Sequence, residues 1–164
     1  MALDYGHKRV GVAFSDPFRS FALPDTAILN SPNLIQDIMT IVRDKWVTHI
    51  LVGLPLHMNG SDTPQTTLTR TFAVELAKEG TPVSFWDERL SSQAVDRQML
   101  STDASRKTRK ANVDSQSAAF ILQGFLDRLK SPNYKPTLVG AVSVGISAPL
   151  KKTVTPLEET HDDL

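Results

Sequence analysis

Cysteine is absent from the 164 residues, which excludes a disulfide scaffold and thiolate metal ligation and favours a reducing interior. Neither charge is in excess. The 18 Lys and Arg against 18 Asp and Glu give the whole molecule no bulk electrostatic reason to seek a polyanion, so any such contact must come from local charge. No apolar run approaches the roughly 20 residues needed to span a bilayer, and the N-terminus lacks a basic stretch leading into an apolar signal core. A cytoplasmic protein without membrane contact is therefore expected. With 40% hydrophobic residues, the chain is long enough for one compact domain with a core and too short for two large ones. Residues 1–130 are assigned to that domain. Residues 131–164, which contain Pro132, Pro136, Pro149 and Pro156 and end in the acidic stretch 158–163, are assigned to a disordered tail.

What is present reads as alternating strands and helices. Met1 to Tyr5 and Arg9 to Ser15 form two short strands around the turn Gly6-His7-Lys8, and Asp25 to Asn30 is expected as a third strand against them. Leu34, Ile35, Ile38, Ile41, Val42 and Trp46 recur at helical spacing after Ser31-Pro32. His49 to Leu54 is a continuous apolar run suited to a strand buried on both faces. A second helix, Thr66 to Lys78, carries Leu68, Phe72 and Leu76. Val83 to Trp86 is a further strand, and Ser91 or Ser92 caps a helix running to about Leu100. Ser101 to Ala111 is polar and basic and reads as a connection. From Asp114 a strongly periodic helix carries Ala118, Ile121, Leu122, Phe125, Leu126 and Leu129. The run Leu138 to Ile146 has docking as an added strand as its alternative to disorder.

Three acidic positions lie where such a fold can gather them: Asp4 at the end of the opening strand, Asp87-Glu88 after the strand 83–86, and Asp114 at the predicted helix start. Each also has a bland explanation. An Asp beside Gly6 stabilises a turn, Asp87 or Glu88 pairs with Arg89 or Arg97 on the surface, and Asp114 serves as an N-cap. Because neighbouring strand residues point to opposite faces, only one of Asp87 and Glu88 can line a given face. Glu88 has the longer reach, with Asp87 the alternative. Together such acids suit a hard divalent cation, and cleavage of a phosphodiester with two metal ions requires several carboxylates at one point. The loop Leu54 to Pro64, with Asn59-Gly60 as its turn, is a candidate phosphate cradle. Lys8, Arg9 and Arg89 are available to neutralise a phosphate, and Arg97, Arg106, Lys107, Arg109 and Lys110 to hold a polyanion backbone without reading its sequence. His57 is set aside as a loop histidine.

Four blocks, LDYGHKRVGVAFSD at 3–16, VGLPLHMNGSDTP at 52–64, WDERLSS at 86–92 and VDSQSAAFILQ at 113–123, resemble in content and order the YqgF family of candidate pre-16S rRNA nucleases, also called Holliday-junction-resolvase-like proteins. The resemblance spans about residues 2–130. It implies an α/β RNase-H-like fold, a five-stranded mixed sheet with three antiparallel N-terminal strands and helices on both faces. It further implies that Asp4 is the first-strand metal ligand, the Asp87-Glu88 pair the second acid, and Asp114 the acid of the last helix. Resolvases resembled at longer range carry an acid on the fourth strand where this chain has Gly53 and Leu54, so the second ligand is relocated here.

The expected activity is that of a nuclease dependent on Mg²⁺ or Mn²⁺, with Asp4, Glu88 and Asp114 as ligands, acting on structured RNA at precursor ends of 16S rRNA. Its partners would then be pre-rRNA and ribosomal particles, with the protein a monomer or homodimer. Branched DNA is the alternative substrate. A non-catalytic ribosome-assembly module is the rival of another class. An actin-like ATPase, brought up by Asp4-Tyr5-Gly6, is disfavoured because such enzymes close two domains around nucleotide.

Overall fold

Alternating apolar side chains build the central sheet. In the computed structural model of the protein, which describes residues 1–90 and 106–139 (backbone alone at 106–114), strand β1 (Ala2–Tyr5) sends Leu3 to one face and Ala2 to the other. Strand β2 (Arg9–Ser15) pairs with it antiparallel, so that Val10 and Val12 join Leu3 while Ala13 joins Ala2. The expected third strand, Asp25 to Asn30, is instead two short pieces. β3 (Ala22–Pro24) pairs with the end of β2 and β4 (Ile28–Leu29) with its beginning. The break falls after Pro24, which has no N–H to give a ladder, and Asp25 N–H still donates to the Val12 carbonyl at 2.8 Å. Both pieces thus occupy one edge position.

Helix α1 (Leu34–Asp44) buries Leu34, Ile38, Met39 and Val42 against the Leu3 face. Trp46 does not extend that stripe. It sits past the helix end with φ 55° and is 88% exposed. Trp46 N–H donates to the Arg43 carbonyl and Val47 N–H to that of Val42, a Schellman ending in which the left-handed residue turns outward and the next apolar residue, Val47, folds back.

Strand β5 (Ile50–Leu54) is buried at every position and pairs parallel with β1 and with β6 (Val83–Asp87). Helix α2 (Pro64–Lys78) starts earlier than its apolar pattern indicates, because Thr63 and Thr66 form a reciprocal capping box with Pro64 in the first turn. That cap turns Thr66, Thr69, Phe72, Ala73 and Leu76 inward and leaves Leu68 44% exposed.

Helix α3 (Arg106–Leu129) covers the other face with Ala118, Ile121, Leu122, Phe125 and Leu126, against Ala2, Ala13, Leu51 and Trp86. A Cβ at Gly124 would lie 2.9 Å from Trp86 Cζ2, so the missing side chain sets how closely helix and strand approach. Burial of each large apolar side chain here contributes about 1.5–3 kcal/mol. Residues 106–111, expected as part of a polar connection, are helical. Arg, Lys and Ala are strong helix formers, and their polarity masked that propensity.

The sheet order is β3-β2-β1-β5-β6 with β4 also on β2, a mixed RNase-H-like arrangement of five strand positions whose three N-terminal positions are antiparallel. After α3, Tyr134 packs edge-on to Phe125, and Val139 N–H donates to the Val83 carbonyl at 2.7 Å. The predicted helix from Ser91 or Ser92 to about Leu100, Arg97 within it, and the tail from Gly140 onward lie outside the described residues.

Candidate active site

Parity places two of the candidate acids together. Ala2 belongs to the α3 face of β1, so Asp4, two residues on, points the same way. In β6 Trp86 belongs to that face, and Glu88 follows it by two as the strand gives way to a single 3-10 turn, Glu88–Leu90. The registers Leu3 with Val52 and Gly53 with Trp86 bring Asp4 and Glu88 to either side of Gly53. Glu88 leans back over that glycine: a Cβ at Gly53 would lie 2.6 Å from Glu88 Oε1 and 2.5 Å from Ile121 Cδ1. The space vacated by a side chain on the central strand is therefore filled by the carboxylate of the next strand.

Burial, with Asp4 and then Asp87 as neighbouring negative charges, pushes the Glu88 carboxyl up to about 7. Desolvation and like charge both disfavour its ionised form. Asp87 behaves in the opposite sense. It takes a forked contact from Arg89 at 2.6 Å and accepts from the Arg89 backbone N–H at 3.0 Å, and these bonds hold its carboxyl below the usual range. Of the two adjacent acids, Glu88 lies beside Asp4, and Asp87 is engaged with Arg89.

Helix α3 begins at Arg106, so Asp114 stands in its third turn rather than at its start, and the N-cap explanation does not apply. Position 114 precedes Ala118 by one turn of the helix. Its side chain, and those of Arg106, Lys107, Arg109 and Lys110, lie outside the described residues. Among the described residues no group of three or more His, Asp or Glu is gathered for a metal ion. Asp4 and Glu88 are two oxygen donors whose mutual repulsion a hard cation would relieve, so the described pair fits a divalent metal as far as it goes.

The surrounding loops are fixed to this edge. Gln65 Nε2 donates to the Tyr5 carbonyl at 2.7 Å, tying the start of α2 to the end of β1, and Thr66 Oγ1 donates to the Pro55 carbonyl. The loop after β5 closes on itself. His57 N–H donates to the Ser61 carbonyl, Gly60 N–H to that of His57, and Ser61 N–H to Asn59 Oδ1. Those three N–H groups and the Asn59 carboxamide oxygen are thus used within the loop. Arg89 Nη1 donates to the Met58 carbonyl at 3.3 Å, so the Asp87–Arg89 pair also fastens the loop. Lys8 and Arg9 are exposed at the β1–β2 turn and the start of β2. Gly53 is the residue that inspection of the acids misses; an isolated glycine in a buried strand signals such a close approach.

The fold is that of the RNase-H-like class. Residues 1–128 match the family described as RuvX: Holliday junction resolvase, and the chain belongs to that family, the one its four sequence blocks resemble. It is 47% identical over 130 residues, covering 77% of this chain and 85% of the relative, to a protein of Sphingopyxis alaskensis named "Putative pre-16S rRNA nuclease". Proteins of the same name in Desulfitobacterium hafniense and Roseiflexus sp. are 41% and 45% identical, over 81% and 77% of this chain and 94% and 92% of their own lengths. No helix among the described residues is long and apolar enough to cross a membrane.

Proposed function

We propose that the protein is a metal-dependent nuclease that hydrolyses phosphodiester bonds in structured RNA, trimming 16S rRNA precursor ends in the cytoplasm and meeting pre-rRNA on ribosomal particles. The reading rests on the Glu88 carboxyl folded over Gly53 beside Asp4, with its proton affinity raised to about 7. A repelling, part-buried acid pair costs stability and is a common mark of a working site. The names of the relatives supply the substrate class.

Asp4 and Glu88, with Asp114, are assigned to hold Mg²⁺ or Mn²⁺, which when bound supplies activation of water and charge neutralisation at the leaving oxygen. The chain's own residues do the rest. Asp4 and Glu88 present acceptor oxygens on one face. Burial on the α3 side restricts water around Glu88 and strengthens the local field. Arg89, held by Asp87, positions the loop at Met58. Lys8 and Arg9 supply exposed positive charge for phosphates without base readout.

A second substrate, branched DNA, is favoured by the description of the matched family; it would require a symmetric dimer to present two sites. The test is cleavage of a 16S precursor RNA and of a four-way DNA junction by purified protein, with Mg²⁺ or Mn²⁺ and with EDTA. Metal-stimulated cutting of the RNA, abolished by Asp4→Asn in a protein that still folds, is expected. Unchanged cutting by Asp4→Asn removes Asp4 from the mechanism, and binding without cutting by the wild type replaces the enzyme with an assembly factor.

A further inference from the structure

Away from the acid pair, a cleft of about 740 Å³ opens between the divided edge strand and α3. Pro24, Thr26 and Leu29 line it from the edge, Arg9 from β2, and Ser115 and Gln116 from the helix. Leu29 is 67% exposed there, an apolar surface without a covering side chain, whereas Ser115 is only 3% exposed and its Oγ has no hydrogen-bond partner among the described residues. A buried hydroxyl of that kind calls for a partner that the described residues do not provide. The lining therefore combines apolar surface, an unspent hydroxyl, a carboxamide and one guanidinium. Asp25, also on the wall, adds an acceptor. This mixture suits neither a bare anion nor a purely apolar ligand.

We propose that the cleft between the divided edge strand and α3 receives one unstacked nucleotide of the substrate strand, adjacent to the phosphodiester held at Asp4 and Glu88. The proposal rests on the nuclease reading and adds a subsite to it. Pro24 and Leu29 supply a face for the base, Ser115 and Gln116 meet its polar edge, and Arg9 takes the phosphate on the side nearer β1. Single-stranded nucleic acid is commonly recognised through unstacked bases that are splayed out and hydrogen-bonded on their edges. Its placement fits a neighbouring nucleotide: β2 alone separates β1 from the edge position, so the cleft stands about 10 Å from the strand that bears Asp4. A rigid duplex could not enter it. The cleft therefore demands a frayed or single-stranded end.

The experiment uses the full chain in EDTA, so that binding is read without turnover. A fluorescent single-stranded oligoribonucleotide is titrated against wild type and against Thr26→Trp, which fills the cleft from an exposed loop, and the same oligonucleotide with 4-thiouridine at successive positions is photo-crosslinked to wild type. A loss of affinity of about tenfold in the variant, and a crosslink from one position to the segment 24–29 or to residues 115 and 116, are expected. Crosslinks confined to other segments, or unchanged affinity in a folded Thr26→Trp, overturn the subsite while leaving the nuclease reading intact. Absence of any oligonucleotide binding by wild type overturns the subsite as well, the nuclease reading being tested separately by cleavage with metal.

Discussion

Replacing Glu88 by Gln should stabilise the metal-free protein at about pH 8 and weaken it by about 1 kcal/mol at about pH 4. The folded protein holds the Glu88 proton up to about 7, against an ordinary value of 4.5. Between those two values the native state binds a proton that the unfolded chain has released. The stability associated with Glu88 is therefore fully present below the unfolded value and is lost as pH rises through the folded one. At 1.36 kcal/mol per pH unit the loss is about 3 kcal/mol above pH 7. Gln keeps the shape and removes the ionisation, though it gives up hydrogen bonds specific to a carboxyl, worth about 1 kcal/mol. A net gain of about 2 kcal/mol at the higher pH is therefore expected. Urea unfolding in EDTA at the two pH values, analysed by linear extrapolation, reads it directly. Addition of Mn²⁺ should then close the gap, because an ion bound to the native state stabilises the wild type and has lost a ligand in the variant. A difference that is the same at both pH values, or a variant weaker than wild type at the higher one, would refute the placement of Glu88 as a strained partner of Asp4.

Two further substitutions probe the surroundings. Gly53→Ala puts a methyl group into the space held by Glu88 Oε1 and Ile121 Cδ1; a stability loss of about 1–3 kcal/mol and impaired precursor cleavage should appear together in unfolding and activity assays, and wild-type values in both would show that the carboxylate does not need that space. Arg89→Ala releases Asp87 and the Met58 carbonyl, so the Asp87 carboxyl should titrate closer to the ordinary range by NMR, and KM for RNA should rise more than kcat falls. Arg89→Lys should recover only part of this, since an ammonium lacks the forked geometry; full recovery by Lys would make the contact one of charge alone.

The meeting of Asp4 and Glu88 follows from parity once the faces of Ala2 and Trp86 are known. Asp4 lies two residues from Ala2, and Glu88 two from Trp86, so strands buried on both faces point both acids toward α3 wherever the register allows. Choosing Glu88 over Asp87 was harder from sequence. The distinction depends on where the strand ends and on the fork that Arg89 makes with Asp87, both tertiary in origin. Gly53 was passed over as a functional residue because its role is the absence of an atom, although a lone glycine in a buried strand was the signal for a close approach. The start of α3 was misplaced since Arg106 to Ala111 carry no apolar stripe, and helices without one are read by propensity, the weaker signal. Trp46 continued the periodicity of α1 numerically, yet the Schellman turn at that point reversed its direction. The divided edge followed from Pro24, whose missing N–H was in plain view, but the resumption of pairing at Ile28 was not.

Both flanks of the sheet bear on how copies of this protein behave in a crowded solution. On one side, Leu138 bridges Ser84 and Val139 bonds to Val83; on the other, the ladder is cut into pieces of three residues and two. Neither offers a long, straight run of unsatisfied amides onto which a stranger's chain could zip. Fibrous accretion through the apolar, doubly covered sheet is thereby discouraged at each margin.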